Sequence, residues 1–199
     1  MCSPPVGNYT PPRRQHIKLR PFGQYYYSRI KRIVNHHFNI KGDFLYYNVY
    51  QRPCARAVLH GDSNNPELRG RVTFYDGGNG VIVNIKVNKL PFTESVCNGT
   101  FLGFHLHEGK SCTGNKDNEF ADSGMHYNPE NCIHISHAGD FPPLINCGGY
   151  AYCEFFTNRF TLEEIIGRAV IIHSNFDDFT TQPSGNSGKK IACGVVERL

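Results

Sequence analysis

The stretch Ala55–Val87 reads ARAVLHGDSNNPELRGRVTFYDGGNGVIVNIKV. It contains three short runs, ARAVLHG, RGRVTFYDG and GVIVNIKV, in which apolar and polar residues alternate or β-branched residues dominate. Asp62-Ser-Asn-Asn-Pro66 and Asp76-Gly-Gly-Asn-Gly80 lie between them. Both are turn sequences, because Gly, Asn and Asp tolerate left-handed backbone and Pro fixes φ. These are hairpins, and the same signals recur further on. Phe101–Glu108, Ala151–Phe156, Ala169–His173 and Ile191–Val196 are strand-length, while Leu162–Ile166 suits a single helical turn. The expectation is an all-β domain, an antiparallel sandwich or barrel with two long loops. The first loop runs from Glu108 through Pro143 and the second from Ser174 to Lys190.

A chain of 199 residues can hold one domain of this kind with a single core, plus an extension. Charge separates the two parts. Before Pro53 there are nine Lys or Arg and one acid, Asp43, whereas the remainder carries twelve bases and sixteen acids. The formal +4 of the whole chain therefore describes neither part. Residues 1–52, rich in Pro, Tyr and base, read as an irregular N-terminal extension, and 53–199 as the folded domain. The opening MCSPPVGNYTPPRRQ has no apolar run suited to a secretory leader, and no stretch approaches a membrane span. Eight cysteines can serve as disulfides, free thiols or ligands, and their number does not decide a compartment.

The first long loop carries the chemistry. Gly103–Asp140, GFHLHEGKSCTGNKDNEFADSGMHYNPENCIHISHAGD, holds five histidines and a terminal aspartate, and His173 follows in an apolar run. His105 and His107 are two apart, so on a strand both rings leave the same face. His137 and Asp140 are three apart around Ala-Gly, so in a tight turn a ring nitrogen and a carboxylate oxygen converge. Seven of the ten histidines fall between His60 and His173, which is a two-metal ligand pattern rather than scatter. Metal would order a nearly forty-residue loop that has few strand or helix signals of its own.

With these residues laid out, the chain from about Cys54 to Val196 resembles the copper/zinc superoxide dismutase family. The resemblance rests on Gly103-Phe-His-Leu-His-Glu108, Gly124-Met-His-Tyr-Asn-Pro129, His137-Ala-Gly-Asp140, Gly167-Arg-Ala-Val-Ile-Ile-His173 and Gly188-Lys-Lys-Ile-Ala-Cys-Gly194, in the family's order. It implies a Greek-key β-sandwich or barrel. It also implies copper held by His105, His107, His126 and His173, and zinc held by His126, His134, His137 and Asp140. His126 would then bridge the two metals, Asp177 would hydrogen-bond a histidine of each set, and Cys112 would pair with Cys193. The implied activity is disproportionation of superoxide to dioxygen and hydrogen peroxide by Cu(II)/Cu(I) cycling, with His126 handling a proton and zinc structural.

Two departures from the family pattern stand out. The usual arginine beside the copper is Lys190, a point charge without arginine's planar fork, from which reduced but substantial activity is expected. Lys189 is a substitute only if it faces the same way. In the zinc loop only Ile135 and Ser136 separate His134 from His137, making His134 the least secure ligand and Cys132 its available replacement. The competing function is a non-catalytic copper-binding, copper-delivery or structural coat protein on the same fold. The partners to expect are superoxide, a second copy in a homodimer, and an anionic surface or another protein for the basic extension. The expected location is the cytoplasm or a cell- or spore-type surface layer. Cys147 and Cys153 can pair if Gly148-Gly149 makes a turn.

Overall fold

A computed structural model describes residues 52–92 and 99–199. The basic extension before Arg52, with Cys2, His36 and His37, lies outside the described residues, as does Cys97. Among the described residues nine strands form one sheet: β1 (Ala55–Gly61), β2 (Arg69–Asp76), β3 (Val81–Asn88), β4 (Gly99–Leu102), β5 (Phe104–Leu106), β6 (Leu144–Cys147), β7 (Tyr150–Thr157), β8 (Ala169–His173) and β9 (Lys190–Arg198). The expected helical turn is α1 (Leu162–Ile165), whose Thr161 and Glu164 form a reciprocal capping box. No helix among the described residues is long and apolar enough to cross a membrane.

The strands are ordered β4-β6-β7-β3-β2-β1-β9-β8-β5, and every pairing is antiparallel. The two edges, β4 and β5, are consecutive in the chain and meet at Gly103, so the sheet curls into a nearly closed barrel. The expected single strand Phe101–Glu108 is therefore two strands that pair with opposite ends of the sheet. Gly103 makes the switch, because a Cβ there would sit 2.9 Å from the Ser187 side chain and 3.2 Å from the His105 ring. Its N–H donates to Asn175 O at 2.7 Å and its carbonyl accepts from His173 N at 2.8 Å.

The alternation along β1 places Ala55, Ala57 and Leu59 inside and Arg56, Val58 and His60 outside. The inward residues join Val72 and Phe74 of β2, Val83, Ile85 and Val87 of β3, and Phe104, Leu106, Leu144 and Ile172 in one core. β8 breaks the alternation and is buried throughout. Val170 and Ile172 face the barrel interior, while Ala169 and Ile171 pack under Phe120 and the Cys112–Cys193 disulfide. The first long loop thus lies over the outer face of β8, and the disulfide pins it to β9.

β6 was not expected, since only four residues separate Pro143 from Gly148. It exists because Gly148 and Gly149, at φ 62° and 87°, form a tight hairpin turn into β7. The turn does not bring Cys147 and Cys153 together. Cys147 lies opposite Tyr150 and is exposed, whereas Cys153 is three residues further on and packs against the core; both are free thiols.

Candidate metal centre

The edge strand β5 continues past Leu106 by taking the first long loop as its partner. Isolated bridges join His105 to Asp140 and His107 to His126, and Leu106 N donates to Gly139 O at 2.9 Å while Tyr127 N donates to Leu106 O at 2.8 Å. Glycine at 139 is required for this approach, because a Cβ would fall 2.1 Å from Leu106 O. His126 and Asp140 are thereby held against His105 and His107. At the other side of the cluster, a register shift between Ile172 and His173 sets His173 opposite Lys190.

Two groups of ligand-type side chains result. His105, His107, His126 and His173 form one, and His126, His134, His137 and Asp140 the other; within each, the ligand atoms lie within 4.8 Å of one another. His126 belongs to both. Two residues suffice between His134 and His137 for their rings to converge at 5.4 Å between centroids. Cys132 is exposed and belongs to neither group.

The hydrogen bonds fix which ring nitrogen is left over. His107 Nδ1 lies 2.9 Å from Gly124 O and His173 Nδ1 lies 3.3 Å from Gly188 O. Each must donate from Nδ1, so the two Nε2 atoms, 3.3 Å apart, face each other as lone pairs. His105 Nε2 and His134 Nε2 each lie 2.8 Å from one oxygen of the buried Asp177, which ties the two groups together. His126 Nδ1 lies 2.8 Å from Asp140 Oδ1, and the Nδ1 atoms of His134 and His137 approach the same carboxylate at 3.1 and 3.3 Å without hydrogen-bond alignment.

Among the described residues, four buried ring nitrogens have no partner: His105 Nδ1, His126 Nε2, His134 Nδ1 and His137 Nδ1. An unpaired buried polar atom is costly, and here every one belongs to the two groups. This donor set fits cations. One group offers four imidazoles, which suits copper, and the other three imidazoles and a carboxylate, which suits closed tetrahedral zinc.

Burial favours the neutral, cation-ligating form of His105, His107 and His173. Burial pushes His105 down to about 4 against the opposing pull of its Asp177 hydrogen bond. Burial, reinforced by the neighbouring imidazoles, holds His107 and His173 well below the ordinary histidine value. For Asp177, burial favours the neutral acid, but the hydrogen bonds from His105, His134 and Phe179 N–H outweigh it and hold the carboxyl well below its usual range. Asp140 is likewise lowered despite burial, by the His126 hydrogen bond and the adjacent rings.

Lys190 is half-buried and Lys189 exposed, so only the former faces inward. Its Nζ donates to Ser123 Oγ and Gly124 O, both at 2.8 Å, and to Phe120 O at 3.2 Å. These three bonds tether its ammonium. Burial lowers its pKa, with Glu108 opposing. Sequence reasoning also missed the residues that hold the loops from outside. Gln182 pairs reciprocally with the His134 backbone, accepting from N at 3.0 Å and donating to O at 2.8 Å. A contact across 48 residues between two irregular segments leaves no local signal.

A nine-stranded antiparallel barrel with two histidine groups joined by a shared ring and a shared aspartate defines a β-barrel protein with two candidate metal sites. The comparisons with known proteins narrow that class. Residues 68–196 match the family model described as copper/zinc superoxide dismutase, and the chain belongs to that family. It is 29% identical over 167 residues to superoxide dismutase [Cu-Zn] of Deinococcus radiodurans, covering 74% of this chain and 86% of that protein. It is 30% identical over 164 residues to superoxide dismutase [Cu-Zn] of Legionella pneumophila, covering 78% and 94%. It is also 34% identical over 114 residues to superoxide dismutase-like protein YojM of Bacillus subtilis, covering 49% and 56%.

Proposed function

We propose that the protein is a superoxide dismutase, with copper held by His105, His107, His126 and His173 and zinc by His126, His134, His137 and Asp140. The observation that carries this reading is the double duty of His126, whose unpartnered Nε2 serves the first group while Nδ1 faces Asp140 in the second. Bound copper would supply a one-electron couple and bound zinc a fixed charge and scaffold, so that two superoxides and two protons yield one dioxygen and one hydrogen peroxide.

The chain's own residues do the rest. His126 is the ring placed to hold a proton at Nε2 and release it toward the reduced substrate, since Nδ1 is engaged on the other side. Asp177 orients His105 and His134 through their Nε2 atoms and leaves both Nδ1 lone pairs facing inward. Lys190 provides the local positive charge that draws a small anion toward the first group, an effect that can raise encounter rates by about 10- to 10³-fold and weakens with salt.

A copper-delivery or structural role would not need the complete set, and the four imidazoles, Asp177 and Lys190 together favour catalysis. The test is the decay of a superoxide pulse followed by stopped flow, with metal-free and copper- and zinc-loaded protein at rising ionic strength. A dismutase gives rapid decay only when loaded, and a rate that falls with salt. Loaded protein that leaves the decay at the uncatalysed rate returns the chain to the copper-handling class.

A further inference from the structure

The segment carrying His134, His137 and Asp140 is anchored in the core at Ala138 and Phe141, but its His134 side is not: Ile133 is 73% exposed and Ile135 45%. Yet one guanidinium nitrogen gathers it from outside. Arg159 Nη1 donates to the carbonyls of Ile135 and His137, both at 3.2 Å, and of Asp140 at 3.4 Å. Two of these belong to residues of the second metal group and the third follows directly on another. Arg159 itself is fixed in place, because the next residue, Phe160, is buried in the core and its ring lies 5.9 Å from that of Phe141, the residue after Asp140.

From this geometry we propose that Arg159 is a positioning residue for the zinc group, acting through three backbone carbonyls rather than through any ligand side chain. It rests on the reading of His134, His137 and Asp140 as zinc ligands. The physical argument is preorganisation. A short irregular loop must bring two rings and a carboxylate to one point, and each backbone torsion left free adds an entropic cost to metal capture and eases ligand escape. Nη1 carries two N–H bonds, so two of the three carbonyls share one hydrogen, and the rigid guanidinium plane reaches them from the β7–α1 connection, outside both metal groups. Arg159 thereby ties the exposed His134 side of the segment to its core-anchored His137–Asp140 side.

The test uses the full chain loaded with copper and zinc. Arg159→Met keeps the apolar stem and removes the donors. Zinc transfer to the coloured chelator 4-(2-pyridylazo)resorcinol is expected to quicken by about 10- to 100-fold, the usual consequence of losing a partner outside the ligand set, while copper retention is unchanged. With cobalt(II) in place of zinc, the visible bands of the variant shift, which loss of stability alone would not produce. Arg159→Lys, whose ammonium still donates, restores part of the retention. Zinc release at the native rate with an unshifted cobalt spectrum overturns the inference; should Arg159→Met not fold, Arg159→Gln is read by the same two criteria. An unmodified chain that takes up copper but no zinc overturns the inference together with the zinc assignment, whereas native zinc uptake with unchanged release in the variant overturns the inference alone.

Discussion

Replacing Lys190 by arginine should tighten the binding of small anions about tenfold. An ammonium has three N–H bonds, and in this protein three acceptors, Ser123 Oγ, Gly124 O and Phe120 O, surround it. Ser123 spends its own hydrogen on Phe120 O at 2.7 Å and can only accept from Lys190. Lysine therefore offers an incoming anion charge but no free donor. A guanidinium has five donors, so three can keep the same acceptors and two remain. One further charge-assisted hydrogen bond contributes about 1.5 kcal/mol or more, which is about tenfold in affinity. Azide titrated into copper-loaded protein and followed by its optical band reads that affinity directly. The gain in kcat/KM should be smaller, because encounter sets its ceiling.

Arginine at 190 should also change the alkaline limb. Burial lowers the Lys190 pKa below the ordinary lysine value, so its positive charge is lost at a lower pH than that of an exposed lysine. Arginine keeps its charge beyond about pH 12. Superoxide decay measured against pH should therefore hold to higher pH in Lys190→Arg, whereas Lys190→Met should be slow at every pH with a flattened salt dependence. If Lys190→Arg left both azide affinity and the alkaline limb where they are in the unmodified protein, the tethered-lysine argument would be refuted.

Gly185→Ala should uncouple the two metal groups, because a Cβ at this residue, whose φ is 65°, would lie 1.9 Å from Asp177 Oδ1 and 2.7 Å from His134 Nε2; zinc content by elemental analysis should fall, and retention at the native level would count against the role of Asp177. Cys112→Ser opens a link spanning 81 residues and should cost about 4 kcal/mol by the chain-entropy treatment, seen as a drop in Tm on the order of 10 °C. Metal-free protein should lose stability as pH falls below about 6.5, where unfolded histidines take up protons. The folded His105, lowered by burial to about 4, and His107 and His173, held by burial well below their ordinary value, cannot match that uptake. Urea unfolding between pH 8 and 5 measures this, and a flat profile would contradict the burial assigned to these rings.

Much of the barrel was legible because its strands obey local rules. Alternation marks β1, glycine- and asparagine-rich turns bound β2 and β3, and the buried run Ala169–His173 is recognisable by its β-branched content. What was hidden depends on distant partners. Nothing within Phe101–Glu108 reveals that Gly103 divides it between opposite edges of the sheet, since the close neighbours, Ser187 and Asn175, come from the second loop. β6 is too short for its pattern to register without the hairpin turn that follows. The histidines were legible by spacing, but the holds on them were not. His134 looked insecure because its loop is short, and its hydrogen bonds to Asp177 on the ring and Gln182 on the backbone come from the distant second loop, which the spacing does not reveal. The partners of Arg159 and most of those around Lys190 are likewise backbone carbonyls brought near by the fold, and carbonyls have no sequence signature.

The central claim is tested most directly by elemental analysis of the loaded protein beside a superoxide dismutation assay, repeated with His173→Ala. The account predicts about one copper and one zinc per chain, rapid dismutation, and loss of that activity with retention of zinc in the variant. Copper bound at full occupancy without dismutation, or activity that survives removal of His173, would contradict it.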